Sequence, residues 1–280
     1  MSTAVFLHAH PDDESIATGG TIARAVAEGH RVVLVVATDG RHGEVPADLL
    51  PGETLADRRR AETERSAEVL GVHRLEWLGY HDSGMTGWAQ NDEEGAFVRA
   101  DVDEAANALV RLLDDEAVDV LCCYDWHGGY GHPDHIQVHR VGHRAAELLA
   151  GSGRPVRLFE STMNRTRIAR LIAEVAGGGG SGDGGSGGGG SGGDGPGDFD
   201  PEGPADDGNP FGSTEDEITM GVDVSSYVEQ KRRSISCHAS QVTDGGFFLS
   251  MSPEQFAMAF GAEWFIEPGR PGGAPMGWFW

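Results

Sequence analysis

The sequence has few cysteines, a single lysine and no long hydrophobic run. Of its three cysteines, Cys122 and Cys123 are adjacent in the apolar segment VDVLCCY, and no C-x-x-C spacing occurs. This odd number predicts neither a disulfide framework nor a C-x-x-C metal site, and it favours the reducing cytoplasm as the location. No run approaches the 18 apolar residues of a membrane span, and the N-terminus lacks the regions of a signal peptide, so neither is expected.

Basic residues are scarce relative to acidic ones. Lys and Arg number 21 against 45 Asp and Glu, and 13 of the acids lie within residues 171–230, which contain no basic residue. A nucleic-acid-binding surface needs a basic footprint, and docking on an anionic membrane needs basic clusters. The composition therefore predicts that neither a nucleic acid nor a membrane is a partner.

Glycine is concentrated in one part of the chain. Residues 177–195 contain 14 of the 43 glycines, with three serines and two aspartates, so no side chain there can build a core. We therefore expect a catalytic α/β domain over 1–176, a flexible Gly/Asp-rich linker or loop over 177–210, and a part over 211–280 that completes the same domain. The Gly-rich segment is expected either to have no function, which is favoured, or to form a flexible flap.

Apolar β-branched runs alternate with segments of helical periodicity. The predicted strands cover 4–10, 31–40, 73–79, 118–124 and 155–162. The predicted helices cover 14–28, 55–70, 96–115, 133–150 and 165–176. A further strand over 217–226 and a helix over 227–240 are predicted after the Gly-rich segment. This order predicts an α/β fold with a Rossmann-like, mostly parallel sheet and helices on both faces.

Polar residues crowd the end of the first predicted strand. His10, Asp12, Asp13 and Glu14 stand in the sequence HPDDE. A tight turn can aim His10 and Asp13 at one point, and an imidazole with a carboxylate suits zinc or a similar divalent ion. Asp12 is then free to act as a general base toward a water molecule. The alternative is an acidic helix N-terminus, which accounts for Glu14 and one aspartate but not for His10.

A second polar cluster follows the strand predicted over 118–124. Its sequence, DWHGGYGHPDH, ends with His132 and His135, three residues apart at a predicted helix start. One histidine can complete a three-ligand metal site, and the other can stabilise an oxyanion as an imidazolium. Asp134 can orient or charge one of these rings. The alternative is a polar loop with a capping aspartate and packing histidines.

The two clusters stand at equivalent strand ends. Because sites in open parallel sheets gather at the carboxyl ends of the strands, we expect both clusters on one side of the sheet. Two histidines and one aspartate then form the protein part of a metal site, with water as the fourth ligand.

The motifs AHPDDE at 9–14 and GGYGHPDH at 128–135 resemble those of the zinc-dependent de-N-acetylases, which include LmbE-like proteins and the GlcNAc-phosphatidylinositol (PIG-L) deacetylases. The second motif is most similar to the mycothiol-pathway branch, which contains N-acetylglucosaminyl-inositol deacetylase and mycothiol S-conjugate amidase. The resemblance covers roughly 3–165, with a weaker similarity at 237–241. It implies an LmbE-like deacetylase fold.

The resemblance implies a role for most residues of the two motifs. His10, Asp13 and His135 would bind the metal ion. Zinc is the usual assignment, although Fe²⁺ and other divalent ions also suit such a ligand set. Asp12 would be the general base, and Tyr130 would polarise the substrate carbonyl.

The resemblance also extends to residues around the pocket. His132 would be the electrostatic or acid partner, oriented by Asp134. Arg59 matches the family's basic substrate-contacting helix, and Asp82 and Met85 lie in a DSGM loop that lines the sugar pocket in the mycothiol branch. Alternatively, Arg59 only pairs with a glutamate of its own helix, and the DSG sequence is only a common turn.

Together these features predict a metal-dependent hydrolase that removes an N-acetyl group from a small N-acetylglucosamine-type glycoside. Three alternatives remain open: an amidase acting on thiol conjugates, a tailoring deacetylase of a glycosylated secondary metabolite, and a sugar-binding module without turnover. The intact metal and base residues count against the last alternative. The oligomeric state has no signal in the sequence.

Overall fold

The computed structural model describes residues 1–178, 200–243 and 246–280. Most of the predicted linker, residues 179–199, lies outside the described residues, whereas 200–210 lie within them. Within these three ranges, eight strands form a single sheet, and helices pack on both of its faces.

The sheet is mostly parallel. Its strands are β1 Thr3–His8, β2 Arg31–Thr38, β3 Arg74–Tyr80, β4 Val118–Tyr124, β5 Arg157–Thr162, β6 Met220–Asp223, β7 Ala262–Ile266 and β8 Met276–Gly277. Their order across the sheet is β3-β2-β1-β4-β5-β7-β6-β8. β1 to β5 run parallel, β7 is antiparallel to β5 and β6, and β8 is parallel to β6. The predicted α/β fold class is therefore confirmed.

The helices connect these strands. They are α1 Asp13–Ala27, α2 Leu55–Leu70, α3 Val102–Leu112, α4 Pro133–Gly151, α5 Arg165–Gly178, α6 Val228–Ile235 and α7 Pro253–Phe260. Short 3-10 turns cover Ala89–Asp92, Phe97–Arg99 and Ser225–Tyr227. Among the helices of the described ranges, none combines the length and apolarity needed to cross a bilayer.

Successive residues of the central strands enter two apolar cores on opposite faces of the sheet. Phe6 of β1 shares one core with Ile22 of α1. Its neighbour Leu7 shares the other core with Leu109 of α3 and Val138 of α4. All six residues of β1 are buried, as expected for a strand covered on both faces.

The helix predicted over 96–115 is shorter in the structure. The 3-10 turn Phe97–Arg99 precedes it, and α3 begins at Val102. The helix starts there because the side chain of Asp101 accepts a hydrogen bond from the backbone N–H of Glu104 at 3.0 Å, which caps the first turn.

The elements after the Gly-rich segment are also shorter than predicted. The strand predicted over 217–226 is the four-residue β6, and the helix predicted over 227–240 ends as α6 at Ile235. Beyond α6 the chain turns so that His238 and Ser240 reach carboxylates of α1 and α2. These tertiary contacts outweigh the helical preference of the segment.

The only lysine of the sequence is buried and joins three elements. Lys231 Nζ of α6 lies 2.6 Å from Glu263 Oε1 of β7. The same carboxylate accepts hydrogen bonds from the backbone N–H groups of Gly20 and Thr21 at 2.8 and 2.7 Å. The pair therefore anchors α1, which begins at Asp13 of the first motif, to the C-terminal part of the chain.

Candidate metal and catalytic site

The HPDDE motif forms a tight turn between β1 and α1. The carboxylate of Asp13 accepts a hydrogen bond from the backbone N–H of His10 at 2.8 Å, which closes the turn. Asp12 adopts a φ of 105°, in the left-handed range. Such a conformation costs a non-glycine residue about 1–3 kcal/mol and concentrates at functional sites.

The second motif forms the loop between β4 and α4. β4 pairs directly with β1 in parallel, so the carboxyl ends of the two strands are neighbours. The two motifs, which follow these strand ends, therefore stand side by side. Asp125 Oδ1 accepts the backbone N–H of Gly129 at 2.8 Å and so holds the loop in place. Gly128 has a φ of 66°, and a Cβ at this position would overlap His135 in the first turn of α4. Glycine at 128 therefore permits the loop to approach the helix.

Three donor atoms from the two motifs form a nearly equilateral triangle, which we call the donor triangle. His10 Nδ1 lies 3.2 Å from His135 Nε2, and Asp13 Oδ2 lies 3.3 Å from each of these nitrogens. A tetrahedral zinc ion with nitrogen and oxygen ligands needs donor separations of about 3.3 Å. The donor triangle therefore has the dimensions of a zinc site and could supply three of its four ligands.

Hydrogen bonds orient both histidine rings of the donor triangle. His135 Nδ1 lies 3.0 Å from the carbonyl oxygen of Gly128, so its N–H donates there and the lone pair of Nε2 faces the triangle. His10 Nε2 lies 3.2 Å from Asp134 Oδ2 and 3.5 Å from Asp82 Oδ1. Because these carboxylates bind Nε2, the other nitrogen of His10, Nδ1, faces the donor triangle.

Neighbouring charged side chains determine whether His10 and Asp13 are protonated in the protein without a metal ion. Burial alone lowers the pKa of His10, but its three carboxylate neighbours, Asp82 foremost, raise that pKa well above its ordinary value. Burial alone raises the pKa of Asp13, but His135 and His10 hold it well below its usual range. A metal ion that binds here must therefore displace the proton of His10.

The carboxylate of Asp12 is bound by an arginine. Arg59 Nη2 donates to Asp12 Oδ2 at 3.1 Å. The same guanidinium donates to the carbonyl oxygens of Pro11 and Gly40 at 2.5 and 2.7 Å. Burial raises the pKa of Asp12, and Arg59 acts in the opposite direction. A carboxylate with a raised pKa, held beside a metal-type donor set, is suited to accept a proton.

Tyr130 and His132 flank the donor triangle. The Tyr130 hydroxyl lies 3.5 Å from His135 Nε2, and the His132 ring packs edge-on against the His10 ring with centroids 4.5 Å apart. Burial raises the pKa of Tyr130, so the phenol keeps its proton and can donate a hydrogen bond. Burial, followed by the charge of His10, lowers the pKa of His132 to about 2. The ring of His132 is therefore neutral in the free protein, and the imidazolium expected beside the substrate stays a prediction.

The carboxylate of Asp134 contacts His10 and Ser83. Besides the contact with His10, Asp134 Oδ2 accepts the backbone N–H of Ser83 at 2.8 Å. His132 is oriented through the main chain, because its Nδ1 accepts the backbone N–H of Asp134 at 3.1 Å. Asp134 thus orients His132 with its backbone and His10 with its side chain.

The DSGM loop at 82–85 borders the donor triangle. Asp82 is buried and accepts the backbone N–H of Gly84 at 2.8 Å, which forms the turn expected of this sequence. Met85 is half-buried beside the exposed Thr86, and its carbonyl oxygen accepts a hydrogen bond from Asn91 at 3.1 Å. Asp82 therefore faces the histidines, and Met85 lies toward the outer end of the loop.

A buried network behind the turn was not predicted. Glu14 Oε1 lies 2.7 Å from His238 Nε2 and accepts a hydrogen bond from Ser66 at 2.5 Å. Its other oxygen accepts the backbone N–H of Asp12 at 3.1 Å. Burial alone raises the pKa of Glu14, but His238 and Ser66 bring it down to about 2. The sequence contained one feature that pointed to His238, the weak similarity to the family at 237–241. That similarity does not show that His238 contacts Glu14.

Residues 200–213 contact both loops of the site. The backbone N–H of Asp206 donates to the carbonyl oxygen of Tyr130 at 2.9 Å, and Asp206 Oδ2 accepts the backbone N–H of Thr86 at 3.0 Å. The backbone N–H of Gly212 donates to the carbonyl oxygen of Gly129 at 2.6 Å. These contacts join the second motif to the DSGM loop, and no local pattern in the sequence marked them.

The chain matches known proteins across the residues that form this site. The family model described as PIG-L, GlcNAc-PI de-N-acetylase, matches residues 5–146. A 1D-myo-inositol 2-acetamido-2-deoxy-alpha-D-glucopyranoside deacetylase from Thermomonospora curvata is 36% identical over 96% of this chain and 91% of the relative. A relative of the same name from Streptomyces avermitilis is 38% identical over 93% of this chain and 90% of the relative. The chain belongs to the PIG-L de-N-acetylase family, which confirms the predicted resemblance.

Solved structures have the same fold. N,N'-diacetylchitobiose deacetylase from Pyrococcus horikoshii aligns with a TM-score of 0.54 and 25% identity, over 91% of this chain and 75% of that one. A deacetylase of the teicoplanin biosynthesis pathway aligns with a TM-score of 0.57 over 95% of this chain and 97% of that one. Its 14% identity limits that likeness to the fold. The expected LmbE-like deacetylase fold is confirmed.

Proposed function

We propose that this protein is a metal-dependent hydrolase that removes the N-acetyl group from an N-acetylglucosamine-type glycoside. The observation that carries the proposal is the donor triangle of His10, Asp13 and His135, beside which Arg59 holds the carboxylate of Asp12. Three protein ligands with an open fourth position, and a nearby carboxylate, are the parts of a hydrolytic metal site. The deacetylase names of the relatives support an N-acetyl amide as the bond that is broken.

His10, Asp13 and His135 are the proposed metal ligands. Two imidazoles and one carboxylate suit Zn²⁺, and the same set accepts Fe²⁺ and other divalent ions. When bound, such an ion polarises the amide carbonyl and lowers the pKa of water at the site.

Asp12 is the proposed general base. Its carboxylate takes the proton of the attacking water and then delivers that proton to the leaving nitrogen as the C–N bond breaks. The products are an amine and acetic acid, which at neutral pH become an ammonium group and acetate, so atoms and protons balance. Arg59 holds the carboxylate in place and favours its ionised form, which is the form that accepts a proton.

Tyr130 and His132 are the proposed partners of the oxygen that becomes negatively charged. The phenol of Tyr130 is protonated and lies against the donor triangle, so it can donate to this oxygen. His132 accepts a hydrogen bond from the backbone of Asp134. Its ring packs against the ring of His10, whereas Tyr130 lies next to His135. Because Nδ1 of His132 accepts that backbone N–H, the neutral ring carries its proton on Nε2 and is the second candidate to donate a hydrogen bond to this oxygen.

The proposed substrate is the N-acetylglucosaminyl-inositol glycoside named in the relatives. Arg59 and Asp82 are each 5% exposed, so we propose that they act on the substrate mainly by fixing Asp12 and His10. Half-buried Met85 is better placed to touch the sugar itself.

The proposal is tested by following acetate release and free-amine formation from this glycoside with the zinc-loaded protein, in parallel with the amide of a thiol conjugate. We expect turnover of the glycoside and its loss after chelation. Turnover confined to the thiol conjugate would favour the amidase alternative. Binding of the sugar without turnover would identify a sugar-binding module.

The base assignment is tested with Asp12→Asn. We expect kcat to fall by about 10²–10⁴-fold, because general-base catalysis contributes that factor, while the zinc content stays unchanged. Glu64→Gln changes an exposed carboxylate of α2 and serves as the matched control. A near-normal rate for Asp12→Asn would remove Asp12 from the mechanism.

A further inference from the structure

A second cluster of metal-type ligands lies outside the proposed catalytic machinery. Cys123 of β4 and His139 and His143 of α4 each offer a donor atom within 4.8 Å of the other two. Glu160 of β5 adjoins them, because its Oε1 lies 2.6 Å from His143 Nε2 and 3.6 Å from His139 Nδ1. None of these four side chains has a part in the proposed reaction.

The fold builds this cluster from three adjacent elements. Cys123 pairs with Glu160 across β4 and β5, so both side chains project from the same face of the sheet. His139 and His143 are four residues apart and share one face of α4. A Cβ at Gly142 would lie 2.6 Å from Cys123 Cβ, so glycine lets the helix approach the cysteine closely.

We propose that Cys123, His139, His143 and Glu160 bind a structural zinc ion. One thiolate, two imidazoles and one carboxylate supply four ligands, the number that closes a tetrahedral structural site. The spacing of the two histidines falls within the H-x₃₋₅-H range of structural zinc sites. Binding forms a zinc–sulfur bond and releases the thiol proton of Cys123 to solvent.

Burial and access both suit such an ion. Cys123 is 1% exposed, whereas the side chains of His139 and His143 are 21% and 34% exposed. The thiolate would therefore lie on the inner side, and the ion would enter from the solvent side of α4. His139 Nδ1 lies 3.0 Å from the carbonyl oxygen of Tyr124, so its N–H donates there and the lone pair of Nε2 is left for an ion.

The competing explanation is a set of ordinary contacts. In the absence of an ion, His143 and Glu160 hydrogen-bond at 2.6 Å, and the thiol of Cys123 donates to the carbonyl oxygen of Tyr124 at 3.5 Å. These contacts need no metal, so the ion itself must be measured.

The ion would connect α4 to β4 and β5 directly below the second motif. His135 of the donor triangle lies one helical turn before His139, and the loop that carries Tyr130 begins where β4 ends. A structural ion at this position would rigidify the elements that hold the site. The inference does not rest on the proposed function, because it concerns metal content alone.

The first test is the zinc content of the purified full-length protein. We expect about two zinc ions per chain, one after His10→Ala/Asp13→Ala, one after Cys123→Ser/His143→Asn, and none when all four changes are combined. Cys122→Ser is the matched control, because the adjacent cysteine enters the core on the opposite face and should leave two ions. An unchanged zinc content after Cys123→Ser/His143→Asn would overturn the proposal.

A second measurement tests the proposal even if the Cys123→Ser/His143→Asn variant does not fold. Co²⁺ added to His10→Ala/Asp13→Ala should produce the charge-transfer absorption of a cobalt–thiolate bond, because only the second cluster remains. The absorption should survive Cys122→Ser and vanish with Cys123→Ser. A folded His10→Ala/Asp13→Ala protein without this absorption would also overturn the proposal. Failure of the catalytic proposal alone would leave the cobalt–thiolate signal intact.

Discussion

Asp12 combines an unfavourable backbone with a buried charge, and its neighbours compensate for both. Its φ is 105°, and its carboxylate is only 17% exposed. Arg59 binds the side chain, and Glu14 accepts the backbone N–H. Strain of about 1–3 kcal/mol persists only where surrounding contacts enforce it. At the scale of the residue, substitutions of Arg59 and Glu14 therefore test how Asp12 is held in place.

Arg59→Lys should lower kcat by about 10–100-fold, a typical cost of removing a group that orients the reacting residues. A lysine ammonium cannot reproduce the three bonds that the guanidinium makes with Asp12, Pro11 and Gly40. Because Arg59 lowers the pKa of Asp12, its loss should also move the acid limb of the kcat/KM profile to higher pH.

Arg60→Lys is the control for Arg59→Lys. Arg60 is the next residue of α2, and its side chain is 58% exposed. The pH profile of this control should match that of the wild type. An Arg59→Lys profile with an unshifted acid limb would mean that the arginine does not control the charge of Asp12.

Glu14→Gln should change the pH dependence of stability. The pKa of Glu14 lies near 2 in the folded protein against an ordinary 4.5, so its ionised form stabilises the fold above pH 4.5, and this stability is lost as the pH falls toward 2. His238 has a raised pKa, so its contribution is present below pH 6.5 and is lost as the pH rises through that raised value.

The difference in unfolding free energy between wild type and Glu14→Gln should therefore be largest between about pH 4.5 and 6.5, on the order of 3 kcal/mol. Urea unfolding from pH 3 to 8 measures this difference. Glu68→Gln, at an exposed position of α2, is the control and should show little change at any pH. A constant difference across this range would contradict the ionised pair.

At the scale of the elements, the site depends on two connections that leave adjacent strands. β1 and β4 are neighbours, and each is followed by one motif and then by the helix that carries a metal-type donor. Asp13 begins α1, and His135 lies in the first turn of α4. The geometry of the donor triangle is therefore sensitive to the path of each connection.

Gly128→Ala should distort the connection between β4 and α4. Its φ of 66° is strained for alanine, and the added Cβ would overlap His135. We expect a loss of about 1–3 kcal/mol in stability, together with weaker zinc binding by the donor triangle. Urea unfolding and zinc titration measure the two effects. Gly151→Ala at the open end of α4 is the control, and equal behaviour of both variants would refute the prediction.

At the scale of the whole molecule, the chain returns after the Gly-rich segment to extend the sheet that it began. β7 pairs with β5, and Phe279 stacks on Phe159 with ring centroids 4.4 Å apart. The buried Lys231–Glu263 pair joins this C-terminal part to α1. The donor triangle therefore rests on contacts between distant parts of the chain.

Lys231→Met should lower the free energy of unfolding by about 3–5 kcal/mol, because it leaves Glu263 as a buried charge without its cation. Thermal and urea unfolding measure the loss. Lys231→Met combined with Glu263→Gln should recover part of it, since the charge is removed as well. Arg233→Met, at an exposed position of the same helix, is the control. A Lys231→Met protein as stable as this control would contradict the structural role.

Local patterns were sufficient for the order of the elements and for most of the candidate site. The strands predicted over 31–40 and 118–124 correspond to β2 and β4, because buried strands are continuous apolar runs. The two motifs contained His10, Asp13 and His135, whose donor atoms the fold brings together, but the choice of His135 over His132 came from the family resemblance rather than from residue type. The protonation of His132 was not predictable, since it depends on burial and on the neighbouring charge of His10.

Contacts between residues remote in sequence had no local signature. Glu14 and His238 are 224 positions apart, and Asp206 reaches Thr86 across 120 positions. Cys123 and Glu160 become neighbours only because β4 and β5 pair. Periodicity and residue type act over a few positions and therefore determine strands, helices and the residues at their ends. Burial, charge coupling and metal geometry depend on which of those ends the folded chain brings together.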